Sequence, residues 1–112
     1  MLLRLVEGLP DESVLLAQRD SAKYDEPWFE GSQSFGLIVP ADIERYESGE
    51  HLRGGRQIVA DVNVYRDGVR ADDHYIGGII LWAMNGLMSS LEYYWVTDDM
   101  PTSLPRLEEV LP

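Results

Sequence analysis

The sequence predicts an α+β domain, an antiparallel sheet of about five strands with one or two helices packed on one face. Three observations carry this expectation. Residues 75–96 read as a β-hairpin turning at Asn85-Gly86, residues 57–65 alternate apolar and polar side chains, and apolar residues near the N-terminus recur at helical spacing.

The hairpin is the most specific of the three. Two apolar runs, 76–84 and 87–95, flank Asn85-Gly86, the pair that most readily takes the two positive φ angles of a type I′ turn. A two-residue loop then fixes a register. On one face Met84 is expected opposite Leu87, Trp82 opposite Ser89, Ile80 opposite Leu91, Gly78 opposite Tyr93 and Ile76 opposite Trp95. On the other, Ala83 faces Met88, Leu81 faces Ser90, Ile79 faces Glu92 and Gly77 faces Tyr94. Both glycines are thus expected beneath tyrosine rings. Residues 76–84 are apolar on both faces and should form a central strand.

The remaining elements follow in chain order. Leu2, Leu3, Leu5 and Val6, then Leu9, Val14, Leu15 and Ala17, fit a short helix and a second helix over 10–19, with Pro10 in a first turn and Asp11 and Glu12 at the positive end of its dipole. Residues 22–29 and 34–39 flank Glu30-Gly31-Ser32-Gln33 as a second hairpin, whose first strand is irregular or at an edge because Pro27 cannot donate to a ladder. Residues 40–47 suit a short helix with Ile43 and Tyr46 on one side, and 48–56 a loop. Residues 57–65 place Ile58, Ala60, Val62 and Val64 on one face and Val59, Asp61, Asn63 and Tyr65 on the other. Asp67-Gly68 is a further I′ candidate, and the proline-punctuated tail, 97–112, ends in one helical turn. The sheet face away from the helices must be covered by loops, by the tail or by a second molecule.

A chain of 112 residues with 45% hydrophobic content supports a single domain, 1–112, with one core. Twenty acidic residues against nine Lys and Arg give a net charge of −11, which repels phosphate backbones and anionic membrane surfaces. Neither nucleic acid nor membrane is expected as a partner, and no apolar run approaches the length of a membrane span. A cytoplasmic location is the default. The same field steers a cationic protein partner toward the surface, while its plainer role is to keep the chain soluble. The chain has no cysteine, so disulfides, thiolate metal sites and cysteine nucleophiles are excluded.

Glu92 stands out among candidate site residues because it interrupts an apolar and aromatic strand. In the register above it faces Ile79, with Leu81 and Gly77 diagonal to it; a carboxylate so enclosed would hold its proton and serve as a general acid or base. Its plain reading is a partly wet position paired with an arginine of a neighbouring strand. Asp72-Asp73-His74 superficially resembles a metal site, but adjacent side chains diverge and convergent ligation needs alternating or helical spacing, so a solvated acidic loop is the better reading. Asp98-Asp99 reads the same way, and both pairs contribute to a negative patch. No serine lies in a nucleophile-elbow context and no glycine pair forms a phosphate loop. No catalytic residue, metal site or cofactor is therefore expected. Of the aromatic set Trp28, Phe29, Tyr75, Trp82, Tyr93, Tyr94 and Trp95, most should be core; if Tyr65, Tyr75 and Tyr94 share the less covered face, they form an amphipathic surface suited to a protein interface or a shallow ligand site.

Asn85-Gly86-Leu87, then Leu91-Glu92, then Pro101 and Leu104-Pro105, together with Leu16-Ala17-Gln18 and the Gly31-Ser32 turn, resemble a family of small bacterial proteins of unknown function. The resemblance implies a small bacterial α+β domain and carries over no catalytic or binding residue. Function is expected to be that of a non-enzymatic interaction protein, in concrete form an immunity- or antitoxin-like neutraliser of a basic nuclease. The alternative is a small-molecule binder or enzyme with a pocket on the sheet near Glu92, and a homodimer closed through the exposed sheet face is compatible with either.

Overall fold

The protein is described by a computed structural model over residues 1–111, with Leu3 by its backbone alone. Expectations placed on the Leu3 side chain and on Pro112 lie outside the described residues. Two helices, α1 (Leu2–Val6) and α2 (Glu12–Ser21), precede seven strands: β1 (Lys23–Pro27), β2 (Phe35–Ile38), β3 (Glu50–His51), β4 (Arg56–Tyr65), β5 (Tyr75–Met84), β6 (Leu87–Trp95) and β7 (Val110–Leu111). The α+β class is as expected from the sequence. The strand count is higher than about five because β3 and β7 have two residues each, too few to leave an alternation in the sequence.

All pairings are antiparallel, in the order β1-β2-β6-β5-β4-β3, with β7 also on β4. The apolar strand β5 lies inside the sheet between β4 and β6, and β1, with Pro27, lies at an edge. The outer edge of β4 is shared by β3 at Gln57 and Ile58 and by β7 at Asn63 and Val64.

The final hairpin turns where the sequence places it. Asn85 and Gly86 have φ of 49° and 87°, the two positive values an Asn-Gly turn supplies at low cost. Its register differs from the expected one beyond the first two pairs. Met84 faces Leu87 and Ala83 faces Met88, but Trp82 then faces Ser90, so Ser89 is an extra residue in β6. From there Leu81 faces Leu91, Ile80 faces Glu92, Ile79 faces Tyr93, Gly78 faces Tyr94 and Gly77 faces Trp95. The reason is packing: Met88 and Leu91 are three residues apart, and strict alternation would send one of them to the wrong side. A bulge puts both into the core with Tyr93.

β4 solves the same problem at the same level. Ile58 faces Trp82 and Ala60 faces Leu81, leaving Val59 as the extra residue. Gln57, Val59, Ala60 and Val64 thereby become buried, and the two faces expected for this strand are re-phased after the bulge. Two bulges thus flank Trp82, one in each neighbour of β5.

The core lies on one face. Ile79, Leu81 and Leu91 are fully buried beneath Leu5 and Val6 of α1 and Leu15 of α2. In α2, Leu15 and Gln18 lie one turn apart and are the buried positions. The Gln18 amide donates to the carbonyls of Gly86 and Glu44, at 2.7 and 3.0 Å, and accepts the N–H of Met88 at 2.8 Å. Gln57 accepts the N–H of Gly86 and donates to the carbonyl of Tyr46 at 2.9 Å. The hairpin tip is therefore held by two buried amides.

The helix expected over 40–47 is absent. A single turn, closed by Ile43 N–H on the Pro40 carbonyl, leads into an extended run whose Tyr46 N–H bonds the Gly86 carbonyl at 2.8 Å. Tyr46 is buried there, and the segment's backbone is committed to the hairpin tip and to Gln18, which outweighs its weak helical pattern. The tail ends as one 3₁₀ turn, Leu107–Glu109, followed by β7, which buries Val110. No helix among the described residues is long and apolar enough to cross a membrane.

Candidate functional site on the open sheet face

With the helices on the core side, the opposite face of β4, β5 and β6 is left open. Strand registers arrange it in rows: Ile58, Trp82 and Ser90; then Asp61, Ile80 and Glu92; then Asn63, Gly78 and Tyr94; then Tyr65 beside Tyr75. Glu92 is thus on the uncovered face, against Ile80, and half-buried. The expectation that it lies enclosed against Ile79 is corrected by the Ser89 bulge, which turns Ile79 into the core and Glu92 out of it. Its partner is not an arginine either: Glu92 Oε1 accepts the indole N–H of Trp82 at 2.9 Å. The other carboxylate oxygen takes no hydrogen bond from the described residues.

The guanidinium carbon of Arg56, at the start of β4, lies 4.5 Å from the centroid of the Trp82 ring, a cation–π contact. Trp82 is thus fixed at its N–H by Glu92 and stacked by Arg56. Next to it, the β1–β2 connection brings Trp28 and Phe29 alongside β6. This connection is closed by Trp28 N–H on the Ser34 carbonyl at 3.0 Å, while Ser34 Oγ accepts the Tyr93 N–H at 2.8 Å.

Two clefts result. One, of about 240 Å³, is lined by Trp28, Arg56, Trp82, Met84, Ser90 and Glu92; the other, of about 260 Å³, by Trp28, Phe29, Glu92, Tyr94 and Trp95. They share Trp28 and Glu92. Trp28 and Trp82 thus meet Glu92 in the first cleft, while Trp95, in phase with Leu91 and Tyr93 in β6, adjoins it only through the second, along the strand's edge. The expectation that most of the aromatic set is core is corrected: Tyr93 is buried, but Trp28 and Phe29 are about half exposed, and Trp82, Tyr75 and Tyr94 are half-buried on the open face.

A tyrosine cluster adjoins the clefts. Tyr65 and Tyr75 have ring centroids 5.4 Å apart, and the Tyr94 hydroxyl lies near that of Tyr75. Interaction with the Tyr75 hydroxyl, followed by burial and by the negative charges of Asp61 and Glu92, pushes the Tyr94 hydroxyl well above the usual tyrosine range. The ring of Tyr94 lies across Gly78, where an added Cβ would fall within 2.7 Å of ring and hydroxyl atoms. One glycine–tyrosine pair of the expected kind is thus present, shifted by the bulge; Gly77 instead meets the Tyr94 carbonyl and the Trp95 backbone.

Of the residues singled out from the sequence, Glu92, Tyr94 and Tyr75 come together here. Asp72, Asp73, Asp98 and Asp99 do not. The first pair sits in the 3₁₀ turn Asp72–His74 before β5 and the second just after β6, at the same end of the hairpin, where Val96 N–H bonds the Ile76 carbonyl. His74 Nδ1 lies 3.0 Å from Asp73, and this hydrogen bond holds the Asp73 carboxyl below its usual range. Among the described residues no group of three or more carboxylates and histidines could hold a metal ion. Trp28, Trp82, Trp95 and Arg56 line the clefts without having been singled out from the sequence, because no local pattern marks the bulges that set the faces of β4 and β6, and Trp28 lies outside both strands.

A hollow of about 380 Å³ between α1 and β4 is larger, but Arg4 within it is committed to the Val110 carbonyl at 3.3 Å, and no aromatic side chain lines it. No family model matches the chain, and no curated protein or solved structure does either. The open face offers ring surfaces, a carboxylate oxygen and paired hydroxyls. Such groups bind by stacking and hydrogen bonding.

Proposed function

We propose that the protein is a small, acidic, non-enzymatic binding module that docks a basic protein partner on its open sheet face. The observation that carries this reading is the placement of Trp28 and Trp82 around Glu92 on an uncovered face, with Trp95 at the adjoining end of β6, in a chain with net charge −11. Partly exposed aromatic groups are what interface centres are built from, and acidic surroundings select and steer a cationic partner. An immunity- or antitoxin-like neutraliser of a basic nuclease is the concrete form, met in the cytoplasm. The resemblance to small bacterial proteins of unknown function belongs to the same proposal.

A small-molecule site is the weaker reading, because both clefts are open and shallow and enclose no ligand-sized volume. A second copy of the chain is disfavoured as occupant, since it would bring −11 against −11. Tryptophan fluorescence titrated with a basic decapeptide tests the proposal. Saturable binding that weakens about tenfold between roughly 50 and 300 mM salt is expected. Absence of binding, or salt-independent binding, contradicts it, and a dimer in sedimentation that is lost with Trp82→Ala reassigns the face to a second copy.

A further inference from the structure

Resting on the docking reading above, we infer that the cleft shared by Trp28, Trp82 and Glu92 is an arginine-specific pocket that takes one guanidinium from the protein partner. The fold already displays this chemistry internally. Arg56 stacks its guanidinium on the Trp82 ring at 4.5 Å, so that ring is oriented to accept a planar cation. The indole N–H of Trp82 is spent on Glu92 Oε1, which fixes both groups and leaves the other carboxylate oxygen without a partner among the described residues. A guanidinium lying over an indole with one N–H aimed at that oxygen satisfies it, and a planar, weakly hydrated cation suits this geometry better than an ammonium.

The local charge favours the same ligand. Glu92 and Asp61 flank Ile80 in one row of the face, while Arg56 stands opposite Met84, beyond the Ile58–Trp82 row. Arg56 is the exposed first residue of β4, and its stacking on the Trp82 ring is the contact that the partner's guanidinium replaces on entering. Arg56 is then an internal competitor that keeps the Trp82 ring covered in the unbound protein.

Calorimetric titration with two decapeptides of equal charge, one bearing arginines and the other lysines at the same positions, tests the inference on the wild type and on the Glu92→Gln and Arg56→Ala variants. Gln retains an acceptor for the Trp82 N–H, so the fold is kept, as near-UV dichroism of the three tryptophans verifies. The arginine peptide is expected to bind at least fivefold more tightly than the lysine peptide, to lose about tenfold with Glu92→Gln, and to bind Arg56→Ala at least as tightly as wild type. Equal binding of both peptides, weakened alike by Glu92→Gln, overturns the arginine pocket and leaves the docking face standing. Failure of both peptides to bind, or binding that ignores Glu92, overturns the docking face and the pocket together. A tenfold loss with Arg56→Ala also overturns the pocket, because the required guanidinium would then be the protein's own.

Discussion

The two faces of the final hairpin are made from the same ten-residue strand and its neighbours, yet they have opposite character. On the helix side Ile79, Leu81 and Leu91 have no exposed surface, and the polar side chains among them, Gln18 and Gln57, are fully used. On the open side Trp82, Glu92 and Tyr94 stay half-buried, and the carboxylate keeps one oxygen unused by the described residues. One face is saturated and the other is not. Saturation is what a stable core requires, and aromatic surface left unsatisfied is what a binding site offers.

Substitutions should separate the two. Leu81→Ala removes the centre of the saturated face and is expected to cost about 2–5 kcal/mol in chemical denaturation. A loss below about 1 kcal/mol would mean that the core lies elsewhere. Gln18→Leu keeps the volume but strips the Met88 N–H of its buried partner, and about 2–3 kcal/mol should be lost. Because Gly86 retains its bonds to Tyr46 and Gln57, the hairpin turn should survive, as amide exchange at its tip would verify.

Gly78→Ala lies on the open side of the comparison. Its new methyl group displaces the Tyr94 ring, for about 1–3 kcal/mol of overpacking, and moves its hydroxyl away from Tyr75. A spectrophotometric titration should then show one tyrosine moving down toward the ordinary range; an unchanged titration would contradict the Tyr75–Tyr94 pairing.

Smaller effects are expected at the tail. Burial raises the Glu109 carboxyl, but the N–H groups of Asp67 and Arg106 and the Arg106 guanidinium outweigh it, leaving its pKa below the usual 4.5. A depressed folded value means that the contribution is complete above about pH 4.5 and is lost as pH falls through the folded value. Glu109→Gln should therefore cost about 1 kcal/mol at neutral pH and almost nothing in strong acid. Smallest of all is the stability effect of Glu92→Gln, within about 0.5 kcal/mol, since the Trp82 N–H keeps an acceptor.

Local signals in the sequence were enough for much of the fold and less for the site. Asn85-Gly86 locates the turn, the apolar run of β5 locates an inner strand, and Pro27 marks an edge, because each acts through its own backbone or its own two faces. The bulges at Ser89 and Val59 were not legible, since no residue there announces an insertion; only the need to bury Met88 with Leu91, and Val59 with Ala60, demands it. Glu92, Tyr75 and Tyr94 stand out in the sequence by type, but strict alternation sets Glu92 against Ile79 where the bulge sets it against Ile80. The tryptophans were not, because a large aromatic residue in a strand looks the same whether it fills a core or crowns an open face.

The most direct test of the account follows the side-chain NMR signals of both faces while a basic decapeptide is added. Saturable shifts of the Trp28 and Trp82 indole N–H resonances are expected, with the methyl signals of Ile79, Leu81 and Leu91 unmoved. Shifts confined to other surfaces, or indole resonances that stay in place at saturation, would contradict it.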